Sequence, residues 1–235
     1  DKGSSIDKKV EEFTVGDDFI IDQELVQYDC EASIAHAKML KKIGILSASE
    51  EKHLIKELQK ISQEHKEGKF TISIEDEDCH TAIENRLIKS LGDTGSKIHT
   101  GRSRNDQVLV ALRLYYKSSL DEISSIINRC IEHLQMFGDN NNFDFPGYTH
   151  MQKAMPSNIK IWSNAFADSF VDDLKNLKNV QHIIEQNPLG SVAGYPIPLT
   201  IDRESTTSEL GFNKIQSNPI YCQISRGKFE ALIVD

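Results

Sequence analysis

The sequence predicts an all-α protein: a small N-terminal helical domain over residues 1–107, followed by the first part of a long-helix bundle over residues 108–235. Three observations predict it. Apolar residues recur at three- and four-residue steps along most of the chain. Between Val108 and Phe137 that rhythm meets no glycine or proline. Hydroxyl and acidic side chains stand where the apolar runs begin, and glycines stand where they stop.

The elements follow in order. Residues 1–20 are polar with little periodicity, and the expectation there is an extended arm or short turns. From Asp22 to Lys42 the chain reads as helix, with Val26, Cys30, Ile34, Ala37 and Leu40 on one face and Gly44 as its stop. Ser47 is placed as an N-cap, and Glu50 three residues on completes a capping box. The helix that follows turns Leu54, Ile55, Leu58 and Ile61 inward and ends near Gly68. The acidic run Glu75–Asp78 precedes Cys79, Ala82, Ile83 and Leu87, and acids at a helix start complement its dipole. Gly92 and Gly95 then interrupt the chain.

The strongest periodic signal comes next. Val108, Leu112, Tyr115, Ile123, Ile126, Ile127, Cys130, Leu134 and Phe137 predict one helix of about 30 residues, roughly 45 Å long. Asp139–Gly147 is expected to be a loop. A second long helix is expected to start near Pro156, with Ile159, Trp162, Phe166, Phe170, Leu174, Leu177 and Ile184 inward. Residues 188–203 carry Gly190, Gly194, Pro196 and Pro198 and predict an irregular or hairpin segment. A third long helix is expected to begin near Ser217. Two long helices and a stub leave apolar faces uncovered. The expectation is a fragment, part of an intertwined oligomer, or both.

Composition narrows the function. The 235 residues are 38% hydrophobic and 27% charged, enough for a core and too few charges for wholesale disorder. A net charge of −9 argues against a surface spread over nucleic acid or anionic membrane. Local arginines can still make a pocket for an anionic substrate. No apolar run is long enough to span a bilayer, and no signal-peptide pattern opens the chain. The four cysteines form no CxxC pair, which reads as buried or free thiols in a reducing cytoplasm. The eight histidines show no zinc spacing, and nothing calls for a metal or an organic cofactor.

Two clusters carry chemistry. His99-Thr100-Gly101-Arg102-Ser103-Arg104-Asn105-Asp106-Gln107 packs two arginines, hydroxyls and carboxamides at the mouth of the long helix. Arginine gives planar charged donors, and Ser and Asn give neutral ones, so this set can bind an anion with many hydrogen bonds at once. A polar loop with good turn chemistry is the plainer alternative. Gly147-Tyr148-Thr149-His150-Met151-Gln152 is the second cluster. Taken alone, a loop histidine such as His150 is more often a surface or capping residue than a catalyst. Helix length places the two clusters at opposite poles of one helical hairpin. They would meet only between subunits packed antiparallel in a symmetric oligomer.

Four segments, in order and at matching separations, resemble one family: Glu77-Asp78-Cys79-His80-Thr81-Ala82, the stretch His99–Gln107, Pro146–Gln152, and Pro188-Leu189-Gly190-Ser191 with Ile201-Asp202-Arg203-Glu204. Together they resemble the argininosuccinate lyase family of the fumarase/aspartase superfamily, over nearly the whole chain. The Gly-Arg-Ser-Arg-Asn-Asp-Gln wording is specific, since fumarases and aspartases carry a Ser-Gln-Ser-Ser/Thr-Asn-Asp type there.

The resemblance implies a fumarase/aspartase-like fold and β-elimination of argininosuccinate to arginine and fumarate. It implies a cytoplasmic homotetramer whose sites draw on several subunits. By similarity Ser103, Arg104, Asn105, Thr149 and Gln152 would bind substrate, and His150 would serve proton transfer, a role imidazole suits because histidine titrates near neutral pH. Asp78 and His80 would lie just behind the site, with helix capping as the alternative for Asp78. Arg102 is open between a site role and a structural pairing with an acid such as Asp106.

The family's serine loop, of Gly-Ser-Ser-x-Met-Pro-Gln-Lys-Lys-Asn-Pro type, does not occur here. The 235 residues alone are therefore expected to be inactive. The alternatives are another lyase of the superfamily, acting on succinyl or amino-acid substrates, and a non-catalytic, crystallin-like structural protein.

Overall fold

The computed structural model of the chain describes residues 8–234. The first seven residues of the expected N-terminal arm lie outside that range. The remainder of the arm is helical instead, as α1 (Lys8–Val15) and α2 (Asp18–Ile21). Local bonds explain the difference: the N–H groups of Ile20 and Ile21 both donate to the Asp17 carbonyl.

The chain divides into two compact units. The first comprises Asp1–Tyr115 with Glu185–Lys228. A 3-10 turn, Asp22–Leu25, leads into α3 (Val26–Lys42). Helix α4 (Ala48–Lys66) opens on the expected capping box: Glu50 N–H donates to Ser47 Oγ at 3.3 Å, and Ser47 N–H donates to Glu50 Oε2 at 2.8 Å. Helix α5 (Cys79–Leu91) and the short α6 (Asp93–Ser96) complete this part.

The core here gathers Val26, Cys30 and Leu40 of α3, Leu54, Leu58 and Ile61 of α4, and Cys79, Ile83 and Leu87 of α5. A second cluster brings Val110 and Leu114 of α7 (Arg104–Asn140) against Ala32 and Ala35 of α3. Leu189, Leu210 and Phe212 join it. The expected irregular segment is irregular over residues 188–202. It is flanked by β3 (Gln186–Asn187), which pairs parallel with β4 (Lys214–Ile215), and by α9 (Arg203–Glu209). The helix expected from Ser217 is broken. Helix α10 (Pro219–Ile224) ends in a turn at Gly227, whose φ is 79°, and α11 (Lys228–Val234) starts anew.

The second unit comprises Tyr116–Ile184 with Phe229–Asp235. The units thus depart from a simple division at residue 107, because 185–228 returns to the first. Helix α7 and α8 (Ile159–Ile184) pack antiparallel: Lys160 pairs with Asp139 at 2.7 Å, and Gln181 donates to Asp121 at 2.7 Å. Ile131, Ala167 and Leu174 lie between them. At Gly138 a Cβ would stand 2.3 Å from Ser163 Oγ and 3.1 Å from Lys160 Cα, so a side chain here would force Ser163 to turn and crowd the crossing.

Two expectations change in this unit. The chain between the long helices is an antiparallel hairpin, β1 (Asp144–Thr149) and β2 (Gln152–Asn158). Pro156 sits in β2 opposite Pro146, and α8 is capped by Asn158, whose Oδ1 accepts from Ile161 N–H at 2.8 Å. The predicted inward face of α8 splits along the helix: Trp162 is 52%, Phe166 48% and Phe170 37% accessible, whereas Leu174 and Ile184 are buried as expected. In the first half of α8 the packed face carries the smaller Ser163 and Ala167 instead.

Candidate functional site

The first turn of α7 is built around Asp106. Its Oδ1 accepts the Ser103 N–H at 2.9 Å, reaching back in the manner of a capping box. Its Oδ2 accepts the N–H groups of Gly190 at 2.8 Å and Val192 at 2.9 Å. One carboxylate therefore joins the motif to a segment 84 residues away. Burial pushes its pKa up, and these N–H bonds and the Arg102 charge oppose that rise.

The 190s segment is shaped for the contact. Val192 holds a φ of 54°, a strained value for a β-branched residue. At Gly190 a Cβ would meet Arg203 Cγ at 2.9 Å. Arg203 in turn donates to the carbonyls of Asn187, Leu189 and Gln216, at 2.9 to 3.1 Å. The segments Pro188–Ser191 and Ile201–Glu204 thus brace the motif.

Above this brace Ser103 and Asn105 face each other, both half-buried. Ser103 Oγ accepts from the N–H and from the Nδ2 of Asn105, at 3.3 Å each. The Oδ1 and the main-chain oxygen of Asn105 both accept from Arg226 Nη2, at 3.1 Å each.

Below lies a buried polar layer. Gln107 Nε2 donates to both oxygens of Asp29 at 3.1 Å, and His80 Nδ1 stands 3.3 Å from Asp29 Oδ2. Burial raises the Asp29 pKa, and the Arg102 charge and the Gln107 bond oppose it. Arg102, 5% exposed, donates to Ser33 Oγ at 2.8 Å and lies 3.6 Å from Glu84. Its acid partner is Glu84 rather than Asp106. His36 Nε2–H donates to the Thr100 carbonyl at 2.9 Å, and burial lowers its pKa to about 3.

Arg104 and Asp78 meet beside the motif. Asp78 is the N-cap of α5, accepting from Thr81 N–H at 2.7 Å. The same Oδ1 accepts from Arg104 at 3.3 Å, and a second Arg104 nitrogen donates to Thr81 Oγ1 at 3.1 Å. Glu84 stands 3.9 Å from Arg104 and bonds His99 Nδ1 at 2.9 Å.

Thr149, His150 and Gln152 come together in the second unit, at the tip of the β1–β2 hairpin. His150 and Met151 form its two-residue loop, with φ values of 49° and 61°. Both signs are positive, as a two-residue hairpin turn matching strand twist requires. Neither residue is glycine, so the turn stores strain. Thr149 pairs directly with Gln152, and all three candidate side chains are exposed. The sequence-predicted site residues therefore fall into two groups, one in each compact unit.

Sequence reasoning missed Asp29, Glu84 and Arg226. Glu84 stands one helical turn beyond His80, a spacing that could have flagged it. Arg226 is 121 residues from Asn105, and no local signal reveals that contact. Among the described residues Asp22, Cys79 and His80 place potential metal-ligand atoms within 4.8 Å of one another. Asp22 already accepts the Cys79 N–H at 3.2 Å, and burial pushes the thiol far up, which disfavours the thiolate a cation would need. The group is a capping contact of α5.

Residues 4–232 match the sequence profile of a family described as lyase. The chain belongs to the lyase family. Curated relatives agree with the family. The chain is 51% identical to the argininosuccinate lyase of Thermotoga neapolitana, over all of this chain and 59% of that protein. It is 46% identical to the argininosuccinate lyase of Xylella fastidiosa strain Temecula1, over 97% of this chain and 52% of that protein. The lyase-family chain thus spans a little over half the length of these relatives.

Two solved structures share its fold. One is an EDDS lyase variant with bound fumarate, at a TM-score of 0.79 and 20% identity, covering 99% of this chain and 46% of that one. The other is a fumarate lyase:delta crystallin from Brucella melitensis bound to cobalt, at 0.78 and 19%, covering 96% and 55%. The all-α, fumarase-like fold expected from the sequence is the fold of this family. Among the described residues no helix is long and apolar enough to cross a membrane.

Proposed function

We propose that the protein is an argininosuccinate lyase, cleaving argininosuccinate reversibly to arginine and fumarate. The observation that carries this reading is the Ser103–Asn105 donor pair at the N-terminus of the 37-residue α7, locked by Asp106. A helix N-terminus favours negative charge, and preorganised donors suit the carboxylate on which charge develops when a proton leaves the adjacent carbon. The relatives at 51% and 46% identity support the substrate.

Ser103 and Asn105 bind that carboxylate. Arg104 spends two donors on Asp78 and Thr81, and its remaining N–H groups are available to an anion. Thr149 and Gln152 bind the substrate from a different subunit, and His150 between them moves a proton. Asp78, His80 and Arg102 hold the first group in place. The assembly is a cytoplasmic homotetramer with shared sites. Helix length read from the sequence supports the sharing, and the exposed Trp162, Phe166 and Phe170 supply an apolar face for it.

The test adds argininosuccinate to the full-length protein and follows fumarate by ultraviolet absorbance, with arginine measured beside it. Stoichiometric release of both is expected. Fumarate from other succinyl or amino-acid adducts, with argininosuccinate inert, would replace the substrate and keep the lyase. The 235 residues assayed alone are expected to give no turnover.

A further inference from the structure

We propose that Arg226 is a positioning residue: it fixes the carboxamide of Asn105 and, through it, turns the Ser103 hydroxyl outward as a donor to the ligand of this site. The proposal rests on the function proposed above and deepens it.

The argument is one of donors and acceptors. A guanidinium has no acceptor atom, so the Asn105 atom facing Arg226 must be its oxygen. Both oxygens of Asn105 converge on one Arg226 nitrogen, at 3.1 Å each. That leaves Nδ2 directed at Ser103. Ser103 Oγ then accepts twice from Asn105, from the main-chain N–H and from Nδ2. A hydroxyl has two lone pairs and one proton. With both lone pairs engaged, the proton is left to donate outward.

Without Arg226 the carboxamide is free to turn over. Its oxygen would then face Ser103, and the hydroxyl would donate to Asn105 instead of to the ligand. The site would lose the outward Ser103 donor from one change at a residue bonded to Asn105 rather than to Ser103.

The turn that presents Arg226 is itself built. Ser225 is buried, accepts from Gln216 Nε2 at 3.0 Å and donates to the Cys222 carbonyl at 3.0 Å. Gly227 closes the turn at a φ of 79°. Arg226 is exposed beyond it, so its replacement leaves the core untouched.

The experiment is a double-mutant cycle in the full-length protein. R226M is expected to lower kcat/KM for argininosuccinate by roughly 10- to 100-fold, the range for losing a charge-assisted hydrogen bond. R226K, which retains a charged donor, recovers part of that. In an N105A background R226M adds nothing further. A neutron structure of R226M, which tells the amide nitrogen from the oxygen, is expected to show the Asn105 carboxamide turned or released.

Three results would overturn the proposal: R226M near wild type, an undiminished R226M loss in the N105A background, or an unturned Asn105 in R226M. If the wild-type protein releases no fumarate from argininosuccinate, the proposed function fails instead. The R226M structure then still decides the positioning role.

Discussion

The two clusters of candidate residues are held in opposite ways. The motif at the start of α7 is cross-braced: Asp106 takes three N–H groups, Gln107 and Arg102 reach into a buried layer, and Arg104 is tied to α5. The hairpin tip is exposed, and its order comes from the backbone, from strand pairing and two left-handed residues. One region is rigid because side chains lock it. The other is shaped by its turn and presents its side chains outward. A group built into its own unit suits substrate orientation, and an exposed group suits delivery to a surface elsewhere.

The largest expected effect separates the two by activity. His150→Asn should cost roughly 100- to 10,000-fold in fumarate release, the span of lost general acid–base catalysis. Asparagine tolerates positive φ, so thermal melting should stay near wild type. An equal loss of stability would make His150 structural.

Asp106→Ala attacks the braced region. It strands the N–H groups of Ser103, Gly190 and Val192 and should cost about 3–5 kcal/mol by denaturant unfolding. A loss under about 1 kcal/mol, the worth of an ordinary hydrogen bond, would show that the brace is dispensable. Gly138→Ala places a methyl against Ser163 and should cost about 1–3 kcal/mol, showing that helix packing holds the second unit.

Read per pH unit, the smallest effect is a slope of stability against pH. The unfolded chain protonates His36 near its ordinary 6.5, whereas the folded chain does so only near 3. As pH falls through that window the unfolded state binds the extra proton, and stability falls by up to about 1.4 kcal/mol per pH unit. His36→Gln should flatten the slope between pH 6.5 and 4 in melting curves. Asp29 and Asp106, whose pKa values are raised, act in the opposite sense in acid, so the wild-type-minus-variant difference is the quantity to compare.

Local chemistry was legible in the sequence. The Ser47–Glu50 box, the Asp78 cap and the long α7 follow from spacing and short-range bonds, and all three are present. The hairpin was hidden because its turn is His-Met, with none of the Asn or Gly that marks a two-residue loop. Pro156 suggested a helix start, and Asn158, a true cap two residues on, was overlooked. The first half of the α8 face differs from expectation because apolar periodicity marks what must be covered and does not say by which chain. In the site, the residue types were readable at the motif. Their keepers were not, since Asp29, Arg226 and the 190s arrive from far along the chain.

That distance gives the Asp106 clasp a consequence for the order of synthesis. A growing chain makes the motif long before Gly190 and Val192 exist. Until they arrive Asp106 has only the Ser103 N–H, and closing a loop of 84 residues costs entropy that local helices do not pay. The α3–α5 core can form early from near neighbours, whereas the motif is fixed late. The nascent protein thus assembles its α3–α5 core before the first turn of α7 is fully clasped.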